Sequence, residues 1–422
     1  MHIGIAGAGL LGRLLAWRLA RAGHAVQVFD AAIGAGPVFR SQAPDVGHVP
    51  TAAGFTAAGM LSPIAELDNA EPAVAALGWR SIELWRQIVA ALPEPRPLLS
   101  VQGSMLLAHR GDAGAAQRVL DRLAHAARSP EWPGGHGAAT ALPMDGLRQL
   151  EPAIQGPAQA WLLPGEGHID TVATMTALHA DAPGVRWHWG APVARVQAGE
   201  GGAALFLADG RVVAFDAAID VRGVGAGRLA PSPLWGEGGG EGPAALVGLT
   251  PLAPTPTLPQ RRRELPHPSP LLQAREGPMP VRGVRGEIIG LDCPGHGLTR
   301  PVRLLHPRHR VYIVPRSPAR LLVGASEIES EDRSPVSLRS AVELMAAAHS
   351  VLPALAEARI VRLDVNLRPA LPDNNPRIVH IRGTLAINGL FRHGWLLAPA
   401  LVEQALRQTG WALPMTAPTE LA

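Results

Sequence analysis

Apolar and polar positions alternate along the chain in recognisably different ways. Short unbroken apolar runs at residues 3–6, 25–29 and 217–221 predict buried strands. Apolar residues three and four apart predict helices at 13–22 (Leu14, Leu15, Leu19, Ala22) and at 73–92, where Leu77, Trp79, Ile82, Leu84, Trp85, Ile88 and Val89 share a face. Further helices are predicted at 115–126, 172–179, 337–352 and 395–409. Asp170 stands where a helix N-cap acid belongs. Short strands separated by turns are predicted at 104–108, 185–189, 193–196, 204–207, 212–215, 283–291, 310–314, 320–325, 357–365 and 385–388. Residues 31–54 and 128–137 read as loop, and Leu367-Arg368-Pro369 as the opening of another.

The first thirty residues join several of these signals. The strand at 3–6 runs into Gly7-Ala8-Gly9-Leu10-Leu11-Gly12, then a helix closed by Gly23, then a second strand ending on Asp30. This is the dinucleotide fingerprint in its full context. Gly7 permits the tight turn, Gly9 lets backbone approach a pyrophosphate, and Gly12 lets the helix lie close to the sheet. The helix N-terminus offers N–H groups to phosphate, and Asp30 is placed for a ribose. The apolar run at 217–221 reads as a strand returning to the same sheet before Arg222-Gly223.

Residues 231–278 differ in kind. They lack periodicity, are crowded with Pro and Gly, and carry near copies of one piece, Pro231-Ser232-Pro233-Leu234 and Pro268-Ser269-Pro270-Leu271. Such a segment sustains neither a helix nor a central strand, and it reads as a largely disordered surface insertion.

Composition narrows the chemistry. A chain of 422 residues with 47% hydrophobic and 17% charged residues fits a soluble globular enzyme. No membrane span and no leader segment are expected, and a single cysteine, Cys293, rules out an intrachain disulfide. A cytoplasmic location follows as an expectation. All 38 basic residues are arginine. Without lysine there is no pyridoxal Schiff base, no lysine aldolase and no P-loop kinase. No basic stripe with interleaved aromatics points to nucleic acid.

Three further features invite chemistry. Gly389-Leu390-Phe391-Arg392-His393-Gly394 precedes the last helix, and suits either an electron-rich ligand edge or a capped turn with a surface arginine. Arg368 is either a solvated charge or a fixed fork for a carboxylate. Tyr312, the sole tyrosine, is either core or a ring with a useful hydroxyl.

Taken in order, a set of stretches resembles the FAD-dependent D-amino-acid oxidase superfamily, and within it the glycine oxidases of thiamine biosynthesis. They are Gly7 to Gly12, Ala58-Gly59-Met60-Leu61, Val284-Arg285-Gly286-Glu287, Tyr312-Ile313-Val314-Pro315-Arg316, Leu322-Val323-Gly324-Ala325, Leu367-Arg368-Pro369, and Phe391-Arg392-His393-Gly394 to Leu397-Ala398-Pro399. The resemblance implies an α/β fold: a Rossmann-like FAD-binding domain (1–75, 151–230 and 357–422) and a mixed-sheet α+β substrate domain (76–150 and 279–356), with 231–278 inserted. It implies FAD held by Gly7, Gly9, Leu10, Leu11, Gly12 and Asp30. Ala58, Gly59 and Met60 would lie on one side of the flavin ring. Gly389, Arg392, His393, Gly394, Trp395 and Leu396 would line it, and Val193 would meet the adenosine. Arg368 would grip a substrate carboxylate, Tyr312 would donate to it, and Arg392 would lie beside the substrate.

The implied reaction is oxidative deamination of glycine or a small amino acid, with O2 as acceptor and H2O2 as product. The resemblance implies no metal and leaves a homo-oligomer open. Sarcosine or a D-amino acid fits an arginine fork as well as glycine does. A nicotinamide dehydrogenase shares only the N-terminal motif, and an inactive flavoprotein disabled by the insertion is the non-enzymatic reading. The chain departs from the family in its long loop between Asp30 and Ala57, in Asp373-Asn374-Asn375-Pro376 where Asp-Gly is common, and in the insertion.

Overall fold

A computed structural model describes residues 1–39, 51–67, 72–128, 138–227, 279–305 and 310–412. Segment 231–278 therefore lies outside the described residues, as does the predicted loop at 128–137 from residue 129 onward.

A six-stranded sheet carries the nucleotide motif. Its strands run in the order Arg377–Ile381, Thr384–Asn388, Ala217–Asp220, His2–Ala6, Ala25–Phe29, Arg186–His188, parallel except for the first pair. Parallel neighbours need a crossover, and helix Leu10–Arg21 supplies it between the strands His2–Ala6 and Ala25–Phe29. Ile3 pairs with both Val26 and Ala217, so the returning strand joins this sheet as its pattern predicts. The helix packs so close that a Cβ on Gly12 would lie 1.9 Å from the Gly7 carbonyl oxygen. Helices Pro72–Ala91 and Gly394–Thr409 pack together over the same core, and Trp85 stacks on Trp395 while its Nε1 donates to the Trp395 carbonyl. The strands predicted at 193–196, 204–207 and 212–215 are Val193–Gly199, Gly202–Leu207 and Val212–Phe215, and they form an antiparallel meander.

An eight-stranded sheet runs Arg359–Ala370, Arg282–Asp292, Arg320–Gly324, Arg310–Ser317, Val302–Leu305, Ser104–Ala108, Gln159–Leu163, Thr140–Leu142. It is antiparallel except where Val302–Leu305 meets Ser104–Ala108. Helix Leu338–His349 buries Leu344, Ala347 and Ala348 against one face. Two expectations change here. Leu367-Arg368-Pro369 does not open a loop: the strand continues to Ala370, paired with Arg282–Asp292 throughout its length. Pro369 is tolerated because this strand is the edge of the sheet, where a missing N–H costs no ladder bond. Domain limits at 151 and 357 also do not follow the sheets, since Gln159–Leu163 and Arg359–Ala370 both belong to the eight-stranded one. A short helix, Pro63–Glu66, begins at a Ser-Pro pair that the strand and helix patterns did not register.

Candidate active site

One cavity of about 940 Å³ reaches from the glycine turn to the eight-stranded sheet. Small-molecule pockets span roughly 300–1,000 Å³, so this one suits a large ligand. At one end it is lined by Gly7, Gly9, Leu10, Leu11 and Asp30, and at the other by Tyr312, Glu327, Arg368 and Arg392.

The three glycines of the turn do different work. Gly7 has φ +106°, and a Cβ there would meet the Val221 carbonyl oxygen at 2.7 Å. Gly7 and Gly12 are thus required by the protein's own packing. Gly9 is not: a Cβ there would have only the Ala52 Cβ within 4 Å, at 3.7 Å. Its bare backbone faces the cavity. The helix ladder begins with Arg13 N donating to Gly9 O at 3.0 Å, so the N–H groups of Leu10, Leu11 and Gly12 precede it. The Gly9 N-cap has no side-chain bond, and the first turn contains no acid. A positive, uncapped helix end beside bare backbone is a cradle for phosphate, and it fits the pyrophosphate of FAD. Asp30 has a second task. Its carboxylate accepts from Ala8 N at 2.5 Å and Ala32 N at 2.7 Å, which fastens the turn while leaving acceptor capacity at the cavity.

Ala58, Gly59 and Met60 line the cavity wall. Gly59 has φ +64°, and a Cβ there would lie 2.3 Å from the Ile169 carbonyl oxygen. Arg316 reaches in from behind and donates to the carbonyls of Ile169 and Ala58. Burial lowers its pKa to about 10, so it remains charged. Val193 also lines the cavity, and its carbonyl accepts from Arg222, which forms an ion pair with Asp220. At the last helix Arg392, His393, Gly394, Trp395 and Leu396 line the cavity. Gly389 does not. Its φ of +81° shapes the turn, and a Cβ there would strike Leu371 at 2.6 Å. Gly12 likewise stands back from the cavity.

The two arginines at the far end differ sharply. Arg368 donates to the carbonyls of Ser326 (3.0 Å) and Arg285 (3.4 Å), its charge acts on the Tyr312 hydroxyl, and it pairs with no carboxylate among the described residues. Its guanidinium lies against Gly286, where a Cβ would fall 2.6 Å from Cζ. The Tyr312 ring lies likewise over Gly324, 2.7 Å from a Cβ position. Burial pushes the Tyr312 phenol up, against the pull of Arg368 and Arg316, so the hydroxyl stays protonated and can donate.

Arg392, by contrast, sits between two acids, 3.0 Å from Glu66 and 3.7 Å from Glu327. Burial alone would raise Glu66. The charges of His393, Arg392 and Arg303 outweigh it and hold the carboxyl below its usual range. His393 is lowered, chiefly by burial, and its Nδ1 is 3.3 Å from Glu66. Four buried polar atoms here, Ser62 Oγ, Glu66 Oε2, Arg392 Nε and His393 Nδ1, have no hydrogen-bond partner in the structure. All four residues line the cavity.

The sequence reading missed Glu66, Glu327 and the seats at Gly286 and Gly324. Ser62-Pro63 is a helix start, which would have drawn attention to the acid on its first turn. Glu327 opens the acidic run to Asp332, which reads as a solvated face. Gly286 carries no local signal, because its reason lies on a different strand.

Comparison with known proteins covers most of the chain. The DAO family model, described as FAD dependent oxidoreductase, matches residues 2–239 and 267–405. A putative thiamine biosynthesis oxidoreductase ThiO from Rhizobium etli is 32% identical over 97% of this chain and 96% of its own. The crystal structure of glycine oxidase from Geobacillus kaustophilus has a TM-score of 0.70 at 22% identity, covering 98% of this chain and 95% of that one. That of iminodiacetate oxidase from Chelativorans sp. BNC1 also has a TM-score of 0.70 at 22% identity, covering 99% and 97%. These two structures share the fold. No helix among the described residues is long and apolar enough to cross a membrane.

Proposed function

The chain belongs to the DAO family of FAD dependent oxidoreductases, and from that premise we propose that it oxidises glycine or another small amino acid at the carbon–nitrogen bond. The products are the imine, and from it the 2-oxo acid, with O2 as electron acceptor and H2O2 formed. The name of the Rhizobium etli relative supports a role in thiamine biosynthesis, and the glycine oxidase relatives support the substrate.

One observation carries this reading. Arg368 presents a guanidinium at the cavity that is held by two backbone carbonyls and is neutralised by no described carboxylate. Such a fork can make two parallel charge-assisted bonds to a substrate carboxylate, and these orient the α-carbon as well as bind the acid. The protonated Tyr312 hydroxyl adds a donor. Arg392 is already balanced by Glu66, so it serves as a fixed wall beside the substrate rather than as the main anion site. The N–H groups of Leu10 and Leu11 and the bare backbone at Gly7 and Gly9 hold the pyrophosphate, and Asp30 the ribose. Val193 meets the adenosine, and Ala58 to Met60 and Arg392 to Leu396 enclose the ring. Bound FAD supplies the two-electron acceptor; the protein binds, orients and excludes water.

The test begins with the spectrum of the purified protein and its bleaching under anaerobic conditions by glycine, sarcosine and D-alanine. Arg368→Ala should keep full flavin and lose substrate oxidation. Loss of a buried charged partner costs about 2–5 kcal/mol, roughly 30-fold to several thousand-fold in kcat/KM. Arg368→Lys should recover little, because an ammonium has no planar fork. Wild-type turnover in Arg368→Ala would remove this arginine from the mechanism.

A further inference from the structure

An amino acid brings two charges into the cavity, and an arginine fork accounts for only one. The ammonium must find an acceptor, and it must lose a proton before its α-carbon can give up a hydride, since the departing pair is replaced by the nitrogen lone pair. Among the described residues three acids line the cavity: Asp30, Glu66 and Glu327. Asp30 is at the glycine-turn end, engaged by Ala8 N and Ala32 N. Glu66 forms a close ion pair with Arg392 at 3.0 Å and lies 3.3 Å from His393 Nδ1, so its charge is already balanced. Glu327 is different. Its nearest cation is Arg392 at 3.7 Å, beyond hydrogen-bond length, and its side chain keeps 43% of its surface exposed. Its backbone neighbour Ser326 is the residue whose carbonyl holds Arg368 Nη1 at 3.0 Å. The carboxylate that remains available thus stands one residue from the anchor of the fork.

We propose that Glu327 is a catalytic residue that receives the substrate ammonium and takes its proton. This rests on the reading of Arg368 as the carboxylate site. An N–H bond of the ammonium breaks and an O–H bond forms on the Glu327 carboxylate, while the electron pair stays on nitrogen. That pair then becomes the carbon–nitrogen π bond as the α-hydride leaves, two electrons passing to oxidised FAD. The proton on Glu327 departs to solvent through the exposed side of the carboxyl.

The groups facing Glu327 suit this task. Burial pushes its carboxyl upward, Arg368 opposes, and the charges of Glu66 and Glu329 push it further up. A carboxylate with raised affinity for a proton is a better base than an ordinary one. Arg392 faces it across 3.7 Å, and Arg333 and Tyr312 line the same wall. His393, the other basic group nearby, is lowered by burial and by two arginines and is the poorer acceptor.

Glu327→Gln separates proton transfer from shape. In the wild type, kcat/KM for the best amino acid should fall on the acid side as Glu327 protonates. In Glu327→Gln only amine already neutral in solution can react, so the acid limb should move up toward the pKa of the free amino acid. The rate at neutral pH should fall by about 10²-fold or more. Glu327→Asp should restore part of the limb. Binding is read without turnover from the flavin spectrum, with 2-aminoisobutyrate, which has no α-hydrogen, against isobutyrate, which has no amine. The variant should weaken the first about tenfold or more and leave the second unchanged or tighter. An acid limb that stays in place, or equal effects on both ligands, overturns the proposal. A wild type that binds neither ligand and is reduced by no amino acid fails one step earlier, in the carboxylate site, and takes this inference with it.

Discussion

The two ends of the cavity are built by opposite means. At the glycine turn the contacts are mainly backbone: the N–H groups of Leu10 and Leu11, the bare chain at Gly9, and one acid, all within the first thirty residues. At the far wall they are side chains: Glu66, Tyr312, Glu327, Arg368 and Arg392, from segments hundreds of residues apart brought together by sheet register. Backbone sites are fixed by local conformation and tolerate variation in what surrounds them. Side-chain sites depend on what lies beneath each group. Arg368 is held flat because Gly286, on the adjacent strand, leaves it room. The first kind of site fails when a ligand's space is filled, the second when a support is moved.

Gly9→Val tests the first kind and carries the largest expected effect. The residue has φ −70° and ψ −165°, an extended conformation open to any side chain. Its Cβ would meet nothing closer than 3.7 Å. The variant should therefore fold with a melting temperature close to that of the apoprotein, while its methyls occupy the phosphate cradle. Purified protein should be colourless, and stoichiometric flavin would show the cradle to be elsewhere.

Gly286→Ala tests the second kind. The methyl would overlap the far end of a flexible side chain, not backbone, so the fork gives way and the strand stays. Displacement of about 1 Å at a positioning group can cost about 10²-fold. Flavin content and melting temperature should change little, while kcat/KM for amino acids drops by about that factor. An unchanged kcat/KM would mean that Arg368 need not lie where it does.

The same contrast decides what could be read in advance. Strand, turn, helix, strand and acid from His2 to Asp30 are each specified by residues within a few positions of one another, so pattern and structure agree. Strand 104–108 and the helix preceded by Asp170, whose Oδ1 accepts from Ala173 N at 2.9 Å, were legible for the same reason. Strand Arg359–Ala370 was cut short because Pro369 is a breaker by local rules, and only its edge position in the sheet permits it. Arg368 and Arg392 look alike in sequence, each an arginine beside an apolar residue. Their difference is Glu66, which reaches Arg392 and not Arg368. Nothing within ten residues of either arginine announces it.

The far wall has its own support behind it, and there the expected effect is smallest and confined to stability. Glu166 is fully buried beneath the turn that carries Glu66. One oxygen accepts from Ile64 N at 2.7 Å and Ala65 N at 2.9 Å, and the other from Ser104 Oγ at 2.5 Å. Burial raises its pKa to about 7, against the hydrogen bonds from Ser104, Ala65 and Ile64 and the charge of Arg303. The native chain therefore binds this proton more tightly than the unfolded chain does. The stability it contributes is fully present below the unfolded value of 4.5 and is lost as pH rises through about 7. At roughly 1.4 kcal/mol per pKa unit, the loss is on the order of 3 kcal/mol. Glu166→Gln resembles the protonated form: its carbonyl oxygen can accept from both N–H groups and its amide can donate to Ser104. His168, lowered to about 4 mainly by burial, loses stability in the opposite direction as pH falls below its unfolded value, but it does so in both proteins. The difference in unfolding free energy, measured by denaturant titration, should thus shift toward the variant by that amount between pH 4.5 and 7.5. A difference that does not vary with pH would mean that Glu166 is ionised in the folded protein at acid pH, held by its hydrogen bonds despite its burial.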